Sequence, residues 1–352
     1  MAREFIKGND AVAKAALLAG CRHYYGYPIT PSSEIVHSCA VYFPQAGATF
    51  VQAESEVAAI NMVYGASSAG QRVLTASSGP GISLKQEGVS YLAGAELPAV
   101  IVDIMRAGPG LGNIWPEQGD YHQVVKGGGH GNYKCIVLAP DSPQEMCDHT
   151  ILAFELADKY RGPVYVLSDA YIGQMMAPVE FPTKVLHSPK KDWAIDGTKA
   201  TVNNFITSIK MDPVEMENHN IMLQDKYADI EAHEVRFSEM NIEDAEVVMV
   251  AYGITARVAH SCVDDLRKQG IKVGLFRPIT LFPFPSKRLR ELSKKTKLFV
   301  TVELSNGQMH ADVRASIPDS VPVEFYGRMG GAVMGQMELN AKIKELCKKH
   351  LH

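Results

Sequence analysis

Short apolar runs alternate with helix-length segments through most of this chain, and that alternation limits the possible folds more than any other feature. HYYGYPI, ATFVQA, RVLTASS, LPAVIVDIM, KCIVLAP and PVYVLSD all fall within residues 1–178. Strands separated in this way call for a parallel sheet covered by helices on both faces. Helices are expected from about Asp10 to Gly20, near Ser33–Tyr42, and from a Ser55 cap through SEVAAINMVYGASSAG. Ser142 caps a further helix, with Pro143 at its first position and Glu145 able to reach back to the cap amide. Residues 179–244 break the pattern and read as an interdomain arm. It carries a long helix at about Pro213–Glu239, where Asp212 and Glu215 form a capping box and Met211 and Met216 a hydrophobic staple. From 245 to 352 the alternation resumes as a second, smaller α/β domain. A length of 352 residues suits two domains or three.

Composition narrows the class. Hydrophobic residues at 46% and charged residues at 21% exclude a disordered or collagen-like chain. Thirty-five basic against thirty-nine acidic residues argue against nucleic acid or an anionic membrane as the main partner. Uncharged stretches such as Val57–Gln71 contain Asn, Tyr, Ser and Gly, so no membrane span is expected. The start, MAREFIKGND, has no apolar core of signal-peptide length. The six cysteines are too far apart for a zinc finger, a redox CxxC or an iron–sulfur site, so reduced thiols in a cytoplasm are the expectation. No metal-ligand pattern is present.

Fourteen of the 29 glycines lie between Gly65 and Gly131, in loops such as SSGPGIS, RAGPGLGN and KGGGHGN. Glycine lets backbone approach a ligand closely, although each such loop also reads as a tight turn. None is the dinucleotide GxGxxG or the P-loop GxxxxGK[ST], so an NAD-dependent dehydrogenase lacks its fingerprint. In parallel sheets ligands bind beyond the carboxyl ends of the strands. Thr30, Glu56, Ser77/Ser78 and Arg106 all fall there. A carboxylate, a guanidinium and hydroxyls at one edge suit a small anionic substrate and a proton transfer. Each has a plainer reading: Glu56 as a complement to the helix dipole, Arg106 as a solvated cation, Thr30 as a turn residue.

At these residues the sequence resembles a known family. YPITPSSE (Tyr27–Glu34), QAESEVAAINMVYGASSAG (Gln52–Gly70), SSGPGISL (Ser77–Leu84) and IMRAGPGLGN…QGDY (Ile104–Tyr121) resemble the α subunit of 2-oxoacid:ferredoxin oxidoreductases, which depend on thiamine diphosphate. The resemblance implies an α/β, parallel-sheet pyrimidine-binding domain over 1–178, then a smaller transketolase C-terminal-like domain over 245–352. GPGLGNIWPEQGDY is similar to the branched-chain form, which acts on 3-methyl-2-oxobutanoate; the runner-up substrate is 2-oxoglutarate. Residue by residue, the family's catalytic glutamate falls on Glu56. Its substrate contacts fall on Thr30, Pro31, Ser32 and Arg106, and its cofactor contacts on Tyr27, Pro28, Ile29, Ser78, Gly79 and Glu56 again. The cofactor's reactive tautomer requires a carboxyl group on the aminopyrimidine nitrogen, the part assigned to Glu56. A guanidinium such as Arg106 can hold a carboxylate through two parallel hydrogen bonds.

The same resemblance implies what must come from elsewhere. A diphosphate–magnesium domain carries GDG, which this chain lacks; Gly119-Asp120 continues with Tyr. The cofactor's diphosphate and Mg2+ are therefore expected from a partner β subunit, and iron–sulfur clusters from partner subunits. Separate γ and ferredoxin-like δ chains are expected too, with ferredoxin as acceptor and coenzyme A as co-substrate. The competing readings are a non-catalytic subunit of the same fold and a transketolase-like half-enzyme. His122 and His130 lie in the glycine-rich region, as ordinary loop residues or as neighbours of coenzyme A or substrate.

Overall fold

The six apolar runs of the first part do become strands of one sheet, and a strand from far along the chain joins them. The structure is a computed structural model and describes residues 2–351. In order, the first part runs β1 (Ala2–Lys7), α1 (Gly8–Leu18), β2 (His23–Gly26), α2 (Ser33–Gln45), β3 (Thr49–Gln52), α3 (Glu56–Ser68), β4 (Val73–Ser77), α4 (Pro80–Gly94), β5 (Ala99–Met105), α5 (Tyr121–Val125), β6 (Ile136–Leu138), α6 (Pro143–Tyr160), β7 (Pro163–Asp169), α7 (Ala170–Gln174) and β8 (Met176–Phe181). The rest runs α8 (Pro213–His233), β9 (Phe237–Met240), β10 (Val247–Val250), α9 (Gly253–Lys268), β11 (Val273–Pro278), β12 (Thr280–Phe282), α10 (Ser286–Leu292), β13 (Leu298–Glu303), α11 (Gln308–Ser316), β14 (Val323–Gly327) and α12 (Gln336–His350).

The large sheet has the order β12-β6-β7-β5-β4-β2-β3, parallel throughout except for β12. All residues of β4, β5, β6 and β7 are buried, as strands covered on both faces must be. The second sheet, β14-β13-β10-β11-β9, is parallel apart from β9. β1 and β8 form a separate antiparallel pair. The expected α/β fold with parallel sheets is present.

Two exchanges tie the halves together. β12, from the second half, pairs with β6 of the first sheet, and β9, from the arm, pairs with β11. Buried side chains reinforce the junction. Gln118 donates to the carbonyl of Tyr252 (2.9 Å) and accepts from the amide of Leu304 (2.8 Å), and Asp169 accepts from the amides of Ile172 (3.0 Å) and Ile254 (2.8 Å). Arg277 forks onto Glu145 with two bonds of 2.7 Å.

Some local expectations are corrected. The arm's helix stops at His233, and Glu239 belongs to β9. Asp212 caps that helix, but Glu215 bonds Lys210 instead of reaching back, and Met211 is 89% exposed, so there is no staple. Ser142 caps α6 as expected, whereas Glu145 reaches one residue further, to the amide of Asp141. No helix among the described residues is long and apolar enough to cross a membrane.

Candidate functional site

The strand order reverses at β2: β3 lies on one side and β4, then β5, on the other. Such a reversal opens a crevice beyond the strands' carboxyl ends. The segments after β2, β3, β4 and β5 carry Thr30, Glu56, Ser78 and Arg106 respectively.

Residues 79–81 form the platform between these groups. Gly79 has φ +42°, a conformation that L side chains rarely adopt, and Pro80 opens α4. A Cβ at Gly79 would lie 3.6 Å from Cγ of Arg106. One at Gly81 would lie 2.2 Å from Oγ of Ser77 and 2.7 Å from Oε1 of Glu56. Arg106 thus rests on one end of the turn and Glu56 on the other. At Gly81 the missing side chain is what lets Glu56 and Ser77 approach; at Gly79 it is the positive φ that calls for glycine.

Glu56 occupies the first turn of α3, whose cap Ser55 accepts from the amide of Ala58 at 3.2 Å. It is only 6% exposed, and among the described residues no side chain or amide hydrogen-bonds its carboxyl group. Ser77 and Ser78 are buried with hydroxyls that also lack protein partners. An acid and two hydroxyls without partners, around a glycine turn, fit the polar edge of a buried heterocycle such as an aminopyrimidine.

Arg106 donates from Nη1 to the carbonyl of Thr30 and from Nη2 to that of Leu111, both at 2.9 Å, while Nε has no partner. The structure therefore brings Arg106 and Thr30 together through the threonine's backbone. Pro31 and Ser32 turn inward. The carbonyl of Pro31 accepts from Asn9, and the hydroxyl of Ser32 bonds the carbonyl of Ile29. They shape the loop from below. Pro28 and Ile29 are half-buried and Tyr27 is exposed. His122 and His130 are exposed, and what binds there is backbone: the amide of His122 to Gln308 and the carbonyl of His130 to Ser90.

Other site residues escaped the sequence reading. Glu117, 6% exposed, accepts from the amides of Gly108 (2.8 Å) and Gly330 (2.7 Å), clamping the Arg106 loop to the second half. Asp120 accepts from the amide of Gly79 at 3.2 Å. Burial pushes Asp120 up to about 6, and pushes its neighbour Asp103 well above the carboxylate range, with the charge of Asp120 adding to the effect. Lys85 is completely buried on α4. Only a charged residue on the buried face of α4 could have pointed to Lys85, and no local signal pointed to Glu117. Alongside the platform a cleft of about 820 Å³ is lined by both halves, including Leu84, Pro109, Asn306 and Met329.

Comparison with known proteins gives the family. Residues 14–245 match the family described as pyruvate flavodoxin/ferredoxin oxidoreductase, thiamine diphosphate-binding, and residues 245–339 match pyruvate:ferredoxin oxidoreductase core domain II. The chain is 60% identical to the ketoisovalerate oxidoreductase subunit VorB of Methanothermobacter marburgensis, covering 99% of both chains. It is 36% identical to the 2-oxoglutarate synthase subunit KorA of Methanocaldococcus jannaschii, covering 97% of this chain and 99% of that one. Among solved structures it superposes on the 2-oxoglutarate:ferredoxin oxidoreductase from Magnetococcus marinus, solved with 2-oxoglutarate, coenzyme A and succinyl-CoA bound. The TM-score is 0.89 at 26% identity, and the match covers 97% of this chain and 65% of that one. A split-gene transketolase shares the fold alone, with a TM-score of 0.57 at 16% identity over 97% of this chain and 98% of that one. The chain belongs to the 2-oxoacid:ferredoxin oxidoreductase family.

Proposed function

We propose that this chain is the α-type subunit of an oxidoreductase that decarboxylates a branched-chain 2-oxoacid, 3-methyl-2-oxobutanoate. Coenzyme A accepts the acyl group, carbon dioxide leaves, and two electrons pass singly to ferredoxin. The observation that carries this reading is Glu56: a buried carboxyl group at a helix start, without a protein partner, against the Gly79–Gly81 turn. Glu56 holds a proton toward the aminopyrimidine of thiamine diphosphate, and Ser77, Ser78 and the glycine turn shape its seat. The bound cofactor supplies the carbon nucleophile for the 2-oxo group. Arg106, anchored by one bond from each terminal nitrogen to Thr30 and Leu111 and with donors to spare, orients the substrate carboxylate near that seat.

The substrate choice rests on charge. Arg106 is the one basic residue lining the cleft among the described residues, beside Leu84, Pro109 and Met329. One cation matches one carboxylate; 2-oxoglutarate brings two. The 60% identity to a ketoisovalerate oxidoreductase subunit supports the same choice. A panel assay of the co-purified complex with 2-oxoisovalerate, pyruvate and 2-oxoglutarate tests it. Preference for 2-oxoisovalerate is expected, and preference for 2-oxoglutarate rejects it.

A β subunit supplies the diphosphate and Mg2+ site and an iron–sulfur cluster, and γ and ferredoxin-like δ subunits complete the assembly. The lack of GDG in the sequence supports this division. So do the exposed apolar side chains of Tyr27, Val57, Leu84, Leu111 and Trp115 around the site, which suit a covering partner. Calorimetry of the chain alone is expected to show no thiamine diphosphate binding; tight binding refutes the shared site. The six buried free thiols suit a reducing cytoplasm.

A further inference from the structure

The loop that follows β14 holds an apolar side chain at the cleft on a fixed main chain. Met329 lines the cleft from the second half, as Arg106 does from the first, and is 59% exposed. Its neighbours on both sides are tied down. The amide of Arg328 donates to the carbonyl of Glu303 at 3.3 Å, and Nε of Arg328 to Glu338 at 2.8 Å. The amide of Gly330 donates to Oε1 of Glu117 at 2.7 Å, and the carbonyl of Gly330 accepts from Asn113 at 3.1 Å. A Cβ at Gly331 would lie 2.4 Å from Cβ of Trp115, so the two loops are in close contact.

The same contacts set Met329 relative to Arg106. The loop after Arg106 closes on itself: Arg106 bridges Pro116, the amide of Ala107 donates to the carbonyl of Trp115 at 2.9 Å, and that of Asn113 to Ala107 at 3.0 Å. Oε2 of Glu117 takes the amide of Gly108, and Oε1 that of Gly330. One carboxyl group therefore joins the residue two places after Arg106 to the residue directly after Met329. Leu84 and Pro109 add further apolar surface to the cleft. Its two acids, Glu117 and Asp120, are engaged by backbone amides and, for Asp120, by Gln123 as well. They offer a second carboxylate like charge and no cation.

We propose that Met329 is a specificity-determining residue, the wall from the second half against which the branched aliphatic group of the 2-oxoacid packs. The inference deepens the function proposed above and rests on it. With its carboxylate held by Arg106, the acid extends into the cleft, where Met329 presents a flexible thioether chain that adapts to an irregular aliphatic group. The isopropyl group of 3-methyl-2-oxobutanoate has two more carbons than the methyl group of pyruvate. Each buried carbon is worth about fourfold in affinity, so the wall can favour the branched acid by about fifteenfold. A dicarboxylate brings a charge to the same wall and loses by desolvation. Attraction for one substrate and repulsion of the other then act at one place.

Steady-state kinetics of the assembled complex at saturating coenzyme A, with 3-methyl-2-oxobutanoate, pyruvate and 2-oxoglutarate, tests the assignment. Met329→Ala is expected to lower kcat/KM for 3-methyl-2-oxobutanoate about tenfold and for pyruvate by less than about threefold, the scale of a few carbons in an apolar pocket. Met329→Leu keeps the apolar bulk and is expected to keep the preference. Met329→Arg adds a second cation to the cleft and is expected to raise 2-oxoglutarate relative to 3-methyl-2-oxobutanoate by about tenfold. Equal losses on all three acids in Met329→Ala, or no loss, overturn the proposal and leave the functional reading intact. So does a loss in Met329→Leu as large as in Met329→Ala, an effect confined to the KM for coenzyme A, or an unchanged ratio in Met329→Arg. Preference of the unaltered complex for 2-oxoglutarate would instead reject the functional reading on which the inference rests.

Discussion

Nη1 of Arg106 donates to the carbonyl oxygen of Thr30 at 2.9 Å, joining the loops that follow β5 and β2 above the crevice. With its second bond to Leu111, the guanidinium is fixed before any substrate arrives. Binding a carboxylate to a fixed cation costs less ordering entropy than binding to a free one.

Replacing Arg106 with Ala removes both the charge and the link between loops. The KM for the 2-oxoacid should rise, with a loss in kcat/KM of about 2–5 kcal/mol by analogy with buried charge pairs. Arg106→Lys should recover only part of this, because one ammonium cannot hold two carbonyls and a carboxylate in the same plane. Steady-state kinetics on the complex reads both; unchanged kinetics in the alanine variant would remove Arg106 from substrate binding.

Gly81→Ala separates site from stability. Alanine favours helix over glycine by about 1 kcal/mol, but its Cβ would fall 2.7 Å from Oε1 of Glu56 and 2.2 Å from Oγ of Ser77. The carboxyl group must move. Activity should drop by more than tenfold while the urea midpoint changes little. Normal activity would show that the contact is not needed.

Glu117 ties two loops that are distant in sequence, with Gly108 on one side and Gly330 on the other. Each is a hydrogen bond from a backbone amide, and losing the acceptor strands that amide at about 1–3 kcal/mol. Glu117→Ala should therefore destabilise the chain by about 3 kcal/mol and raise the KM for the 2-oxoacid, since the loop it clamps also holds Arg106. Glu117→Gln keeps one acceptor and should lie between. Equilibrium urea unfolding and kinetics check the two effects separately.

His149 gives the fold a pH dependence unrelated to catalysis. Burial pushes it down to about 4; Glu145 opposes the shift, and Arg277 and Arg236 add to it. An unfolded histidine takes a proton near pH 6.5, so between 6.5 and 4 the unfolded chain binds more protons than the folded one. Stability from this residue is complete above pH 6.5 and is lost as pH falls toward 4, by up to about 3 kcal/mol. Urea midpoints of His149→Leu should fall less between pH 7 and pH 5 than those of the unaltered chain. Parallel falls would contradict the assignment.

The parts of the fold legible in the sequence are those set by local chemistry. The apolar runs became β2 to β7, Ser55, Ser142 and Asp212 cap their helices, and Glu56 and Arg106 stand at strand ends as the alternation implied. What stayed hidden depends on distant partners. β12 is three residues long and follows β11 almost at once, so nothing local says that it crosses to the first sheet. β9 is largely exposed and lacks the alternation that marks a half-buried strand. Glu117 meets Gly330 across 213 positions. Lys85 is fully buried with its one bond to Thr75 on another element, and charged residues are mostly exposed, so a pattern-based reading passes over it.

Turnover by the complex assembled with Glu56→Gln bears most directly on the central claim, that this chain supplies the proton-holding carboxyl group of a shared site. Subunit assembly and thiamine diphosphate content are measured on the same sample. With both unchanged, acyl-CoA formation should fall by at least about a hundredfold, the usual worth of a positioned acid–base group. A fully assembled, cofactor-loaded Glu56→Gln complex that turns over at a near-normal rate would contradict the account.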